Sequence, residues 1–271
     1  MKGAIIGDII GSRFEFRNTN SKDFELFTEN CSFTDDTVMT CAVAEALMNP
    51  EKDTARTMQA VARKYPDAGY GSRFYWWMLL DCEPYNSCGN GSAMRVSPAG
   101  FMAESIEEAK MLSRIVTEVS HDHPEGLRGA ECTAVCIVLA KQGRTKEEIR
   151  SFVEENYYAL DRTCEDYRIE QAGHHGKEIC QISVPQALEC FFESSDFEDC
   201  MRNCISIGGD SDTIAAIAGG IAEAYYGIPE DIWEQAKAYL PAYLLNIVEK
   251  LYKLQAKISY KLQGEGMRGE H

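Results

Sequence analysis

Three glycines, Gly3, Gly7 and Gly11, recur every fourth residue through a segment otherwise built from Ala4, Ile5, Ile6, Ile9 and Ile10. At helical spacing the three fall on one face, and a face without side chains lets a second helix approach almost to backbone contact. Each glycine costs about 1 kcal/mol relative to alanine in a helix interior, so keeping three in register implies a packing reason. A second segment, residues 214–226 (IAAIAGGIAEAYY), is apolar nearly all round and belongs in the centre of a bundle. Gly227-Ile228-Pro229 ends it sharply. Helical periodicity also covers residues 37–47, 54–64, 105–118, 128–141, 146–156, 184–193, 196–205, 230–238 and 241–256. Polar, glycine-bearing connectors are expected at 12–31, 66–72, 82–98, 120–126 and 163–181. No hairpin dipeptide and no sustained alternation marks a strand. The fold class expected is all-α: one compact multi-helix domain over residues 1–262, with 263–271 as a disordered tail.

At 271 residues and 45% hydrophobic, the chain can bury a sizeable core without disulfide support. Lys and Arg number 27 against 43 Asp and Glu, a net charge of −16, which argues against nucleic-acid or anionic-membrane partners. A local basic pocket for a phosphate stays compatible with that balance. Eleven cysteines are an odd count, and the pairs Cys132/Cys136 and Cys200/Cys204 have i, i+4 spacing, not that of a CxxC knuckle. Buried thiols in a reducing cytosol are expected, hence a cytoplasmic protein. Asp8 interrupts the apolar start and no cleavage-site pattern follows, so no signal peptide is read there. No stretch approaches the ~20 apolar residues of a membrane span. The sequence carries no signal of oligomeric state.

Five segments carry candidate chemistry. Thr34-Asp35-Asp36-Thr37 and Gly208-Gly209-Asp210-Ser211-Asp212-Thr213 each stand where an apolar helix begins. They offer four carboxylates and several hydroxyls, hard oxygen donors that suit Mg²⁺ or Mn²⁺ and suit zinc poorly. Helix capping explains one Asp or Thr at about 1 kcal/mol each. It does not explain two adjacent aspartates in one place and Asp-x-Asp in another, which repel unless a cation or proton intervenes. Glu15, just past the glycine-striped helix, is either a general acid or base raised by Phe14 and Phe16, or a surface glutamate paired with Arg13 or Arg17. In Asn86-Ser87-Cys88-Gly89-Asn90-Gly91-Ser92-Ala93-Met94-Arg95, glycines alternate with small polar residues, a pattern that fits a phosphate cradle or a plain surface loop. His121, in Ser120-His121-Asp122-His123-Pro124, is a hydrogen-bond donor to a ligand or a helix-end residue, since no third ligand is spaced to complete a metal site with His123. His174-His175 carries no specific signal.

Taken in order, the stretches GAIIGDIIGSRFEF, FTDDTVMTCAVAEAL, GYGSRF, GNGSAMRVSPAG, SHDHPEG and SIGGDSDTIAAIAGGIAEAYYGIP resemble the ADP-ribosylglycohydrolase family, which includes the dinitrogenase reductase-activating glycohydrolases. They span residues 3–229. The resemblance implies an all-α fold around a binuclear Mg²⁺ or Mn²⁺ centre. Thr34, Asp35 and Asp36 match one set of ligands, and Asp210, Asp212 and Thr213 the other. Ser87, Gly89, Asn90, Gly91 and Ser92 fall on the loop that wraps the diphosphate and nearby ribose, and His121 matches a ligand-contacting histidine. Glu15, Asp35 and Asp212 are the implied catalytic residues, Glu15 as acid or base. The implied reaction is hydrolysis of the bond between ADP-ribose and a protein or small-molecule acceptor. The alternatives are a non-catalytic ADP-ribose-binding relative and a hydrolase that cuts the diphosphate. Where some members carry an adenine-stacking aromatic, this chain has Cys88, leaving Tyr85, Tyr70 or Trp76 for that task.

Overall fold

The glycine stripe finds its partner in the other long apolar segment. In the computed structural model, which describes residues 1–80, 83–170 and 177–266, helix α1 (Lys2–Gly11) lies antiparallel against α13 (Ser211–Tyr226). A Cβ built on Gly3 would stand 2.1 Å from the Gly219 carbonyl oxygen. One on Gly7 would stand 2.1 Å from that of Ala215, and one on Gly11 2.4 Å from the Asp212 Cα. Main chain therefore touches main chain at three levels, which only glycine permits. The register sets the C-terminal end of α1 beside the first turn of α13.

Between them run α2 (Asp35–Met48), α3 (Thr54–Ala62), α4 (Ser72–Leu80), α5 (Gly91–Met94), α6 (Ser97–Met102), α7 (Ile106–Thr117), α8 (Pro124–Lys141), α9 (Lys146–Asn156), α10 (Cys164–Glu170), α11 (Cys180–Phe192) and α12 (Phe197–Ser206). After α13 come α14 (Glu230–Lys237) and α15 (Ala242–Gly266). Every residue of α13 from Ser211 to Ala222 is buried, and α1, α8, α11 and α12 pack around it. Several helix starts carry the cap the sequence offers: Thr34, Asp53, Ser105 and Asp196 each accept a backbone N–H, and Thr145 with Glu148 forms a full capping box. Among the described residues no strand forms; one antiparallel bridge joins Gly89 to Ile179. No described helix is long and apolar enough to cross a membrane.

The all-α expectation holds, with corrections inside the connectors. Segments 82–98 and 163–181 contain α5, the start of α6 and α10, and α4 begins at the end of 66–72. α5 and α6 are one or two turns long, too short for a periodic signal, and α4 (SRFYWWMLL) is built largely from aromatics of modest helix propensity. α11 begins at Cys180 with Pro185 inside it, where the proline suggests a later start. α15 runs to Gly266, so residues 263–266 continue a helix where a disordered tail is expected. Residues 267–271, like His174-His175, lie outside the described residues.

Candidate active site

Asp8 organises the first half of the site. It has no exposed surface and sits in α1 among isoleucines. A bare carboxylate there would cost several kcal/mol. Instead it accepts from Thr34 N (2.9 Å), Thr34 Oγ1 (2.7 Å) and Thr37 N (3.0 Å), the donors at the start of α2. Thr34 Oγ1 in turn accepts from Asp36 N at 3.3 Å. The N-terminus of α2 is thus fastened to α1, with Asp35 and Asp36 displayed in its first turn. Sequence reasoning takes Asp8 only as an interruption. The missed signal is an acidic residue inside an apolar, glycine-striped helix, where it needs donors from another element.

The second half forms at the start of α13. Gly208 and Gly209 take φ of 71° and 77°, the left-handed region, to turn the chain into the helix. Asn18, unremarked in the sequence, ties this turn to the segment after α1. Its Nδ2 donates to the carbonyls of Phe14 (2.7 Å) and Gly209 (2.9 Å), and its Oδ1 accepts from Gly209 N at 3.1 Å. Glu15 is thereby held at the same place, and carboxylate oxygens of Glu15, Asp210 and Asp212 lie within 4.8 Å of one another. Thr213 Oγ1 donates to Asp36 Oδ1 at 3.3 Å and joins the two acidic clusters directly.

Glu15, Asp35, Asp36, Asp210, Asp212 and Thr213 line one cleft of about 340 Å³. Ser87, Gly89, Asn90, Gly91 and His121 form part of its opposite wall, together with Phe74, Tyr85 and Arg95. Asn90 bridges the walls, its Nδ2 donating to Asp210 Oδ2 (2.6 Å) and Ser183 Oγ (2.8 Å). Two expected residues stand behind the cleft. Thr34 is committed to Asp8 and to the cap of α2. Ser92 has no exposed surface and turns inward to donate to the Gly126 carbonyl at 2.8 Å. Of the three aromatics considered for adenine, Tyr85 lines the cleft, with the Arg73 guanidinium 5.1 Å from its ring centre. Tyr70 and Trp76 do not line it, and Trp76 is 56% exposed.

Crowding shows in the electrostatics. Burial, then the charges of Asp210, Glu178 and Asp8, raise Glu15 to about 7. Burial and Asp8 raise Asp35 to about 8, and burial with neighbouring carboxylates pushes Asp36 and Asp212 well above the usual range. Asp36 Oδ2 is buried without a hydrogen-bond partner among the described residues. Facing carboxylates, a buried orphan oxygen and an all-oxygen donor set fit a hard divalent cation.

An all-helical scaffold that draws acidic clusters from both ends of the chain to one cleft defines a class of protein. The family model for ADP-ribosylglycohydrolase matches residues 1–260, and the chain belongs to that family. Among its relatives, ADP-ribosylhydrolase ARH3 of Bos taurus and that of Homo sapiens are each 27% identical, with 87% of both chains covered. The ADP-ribosyl-[dinitrogen reductase] glycohydrolase of Rhodospirillum rubrum is 26% identical over 59% of this chain and 54% of its own. A solved structure titled "ADP-ribosylglycohydrolase-related protein complex" shares the fold, with a TM-score of 0.70, 23% identity, and coverage of 93% of this chain and 95% of that one.

Proposed function

We propose that this chain hydrolyses the N- or O-glycosidic bond joining ADP-ribose to an acceptor, a protein side chain or a small molecule, and so reverses ADP-ribosylation. The observation that carries this is the meeting of Asp35, Asp36, Asp210, Asp212 and Glu15 in one cleft, with a buried oxygen of Asp36 unpartnered among the described residues. Family membership supports the choice of substrate. Asp35 and Asp36 on one side, and Asp210, Asp212 and Thr213 on the other, would hold two Mg²⁺ or Mn²⁺ ions, with Thr34, bound to Asp8, fixing the first pair from behind. Such ions, when bound, supply Lewis-acid polarisation of ribose hydroxyls and of water.

The remaining work falls to the chain's own groups. Glycosidic cleavage passes through an oxocarbenium-like state, and a carboxyl group that protonates the leaving atom lowers its barrier. Glu15, which burial first and then Asp210 raise to about 7 in the metal-free cleft, is the carboxyl placed to give a proton to the leaving atom. Ser87, Gly89 and Gly91 line the wall where a diphosphate would lie, their small side chains leaving the main chain approachable, while the Asn90 amide, bound to Asp210 and Ser183, holds that wall against the carboxylates.

The test is a metal-supplemented panel of arginine-, serine- and acetyl-linked ADP-ribose, with products identified. Intact ADP-ribose is expected; AMP with ribose phosphate would mean attack on the diphosphate, and no product from any linkage would mean a binding protein. Asp35→Asn and Asp212→Asn should each abolish Mn²⁺ binding and turnover while the helical circular dichroism stays unchanged. Full turnover by either variant without metal would refute the metal assignment.

A further inference from the structure

The wall opposite the carboxylates rests on Arg95, an arginine with no exposed surface. Its Nη2 donates to the Val116 carbonyl (3.1 Å) and to Ser120 Oγ (2.8 Å), and its charge lies 5.6 Å from the centre of the Phe74 ring. Ser120, likewise fully buried, places Oγ 2.9 Å from His121 Nδ1.

Counting protons along this chain settles their direction. A guanidinium only donates, so Ser120 Oγ accepts from Arg95. The serine has one proton left, and among the described residues His121 Nδ1 is the acceptor within its reach. With a proton on Nδ1 instead, the serine oxygen would face two donors, and its own hydroxyl proton would be buried without an acceptor. We propose that Arg95 and Ser120 are positioning residues that fix His121 as its Nε2–H tautomer, a neutral donor aimed into the cleft at an oxygen of the ligand.

The far side of the ring agrees. Nε2 has no hydrogen-bond partner among the described residues. It lies 3.5 Å and 3.3 Å from where a Cβ on Gly89 or Gly91 would stand, so side chains there would crowd the donor. Burial and the Arg95 charge both hold the ring well below its usual range, which keeps it uncharged at neutral pH. That the ligand oxygen belongs to ADP-ribose rests on the function proposed above; the tautomer itself does not.

The experiment is long-range ¹H–¹⁵N correlation on the full chain labelled at histidine, paired with calorimetric titration of ADP-ribose. In the wild type, His121 should show a protonated Nε2 and a bare Nδ1. Ser120→Ala should lose this single pattern and weaken ADP-ribose binding about tenfold, the loss expected for a hydrogen bond to a charged group. Ser120→Thr, which keeps the hydroxyl, should restore both. A proton on Nδ1 in the wild type overturns the proposal even if no variant folds. So does Ser120→Ala leaving both tautomer and affinity unchanged. A wild type with the Nε2–H pattern and no affinity for ADP-ribose supports the positioning role and refutes the proposed function.

Discussion

Asp8 never reaches the cleft wall, yet three donors at the head of α2 converge on its carboxylate. Asp8→Asn keeps the shape and an oxygen for the two backbone donors, but puts an amide N–H₂ where the Thr34 hydroxyl now finds its acceptor. It should cost about 1–3 kcal/mol of stability and weaken Mn²⁺ binding about 10–100-fold, as loss of a group that orients metal ligands does. Thermal melting and calorimetry check the two numbers, and unchanged Mn²⁺ affinity would detach Asp8 from the site. The contrast with Asp35 and Asp36 explains what the sequence makes legible. Adjacent carboxylates are conspicuous because capping accounts for only one of them. Asp8 and Asn18 act on partners 26 and 191 positions away, and nothing local announces the pairing. Ser92 fails for a related reason: alternating glycine and polar residues mark a loop, but not which of its side chains turn inward to Gly126.

At the scale of elements, the long helices are legible because each repeats its apolar positions over several turns and is bounded by a cap such as Thr145 or a stop such as Gly227. α4, α5 and α6 are not, since tertiary contacts rather than periodicity decide their conformation. The stripe in α1 is legible as a close-contact face, but its partner α13 lies more than two hundred positions away. Gly7→Ala would place a methyl 2.1 Å from the Ala215 carbonyl oxygen, against backbone that has no rotamer to yield. A loss of about 3 kcal/mol is expected, at the upper end of overpacking costs. Gly71→Ala, which meets nothing within 4 Å, should stay within about 0.5 kcal/mol. Chemical denaturation of the two variants distinguishes them; equal stability would mean that α1 can move off α13 at little cost.

For the whole molecule, the crowded carboxylates link stability to pH. Their folded values are raised, to about 7 for Glu15 and about 8 for Asp35, from 4.5 and 3.8. A raised group contributes its full stability below the unfolded value and loses it as pH climbs through the folded one. The metal-free protein should therefore melt highest in mild acid, and its Tm should fall from about pH 4 to about pH 8. A cation replaces the protons as the neutralising partner. Mn²⁺ or Mg²⁺ at 100 times its dissociation constant should add about 2.7 kcal/mol, and raise Tm more at the alkaline end. Differential scanning fluorimetry with chelator and with metal checks both slopes; a Tm that rises with pH in chelator would refute the account.

The direct contact of α1 with α13 has a consequence for how this scaffold can diversify. Asp8, the segment bearing Glu15, and Asp210–Thr213 all hang from two helices whose separation is set by main chain. No exchange of side chains at that contact can retune the spacing of the carboxylates by degrees; a larger residue breaks it and a smaller one does not exist. The opposite wall, built from α4, residues 85–91 and His121, has one such contact, where a Cβ on Gly126 would stand 2.5 Å from the Ser87 carbonyl oxygen; the side chains of Arg73, Phe74 and Tyr85 lie outside it. A lineage descended from this chain can remodel what the cleft recognises by substitution in that wall alone, while its acidic floor is inherited whole or lost.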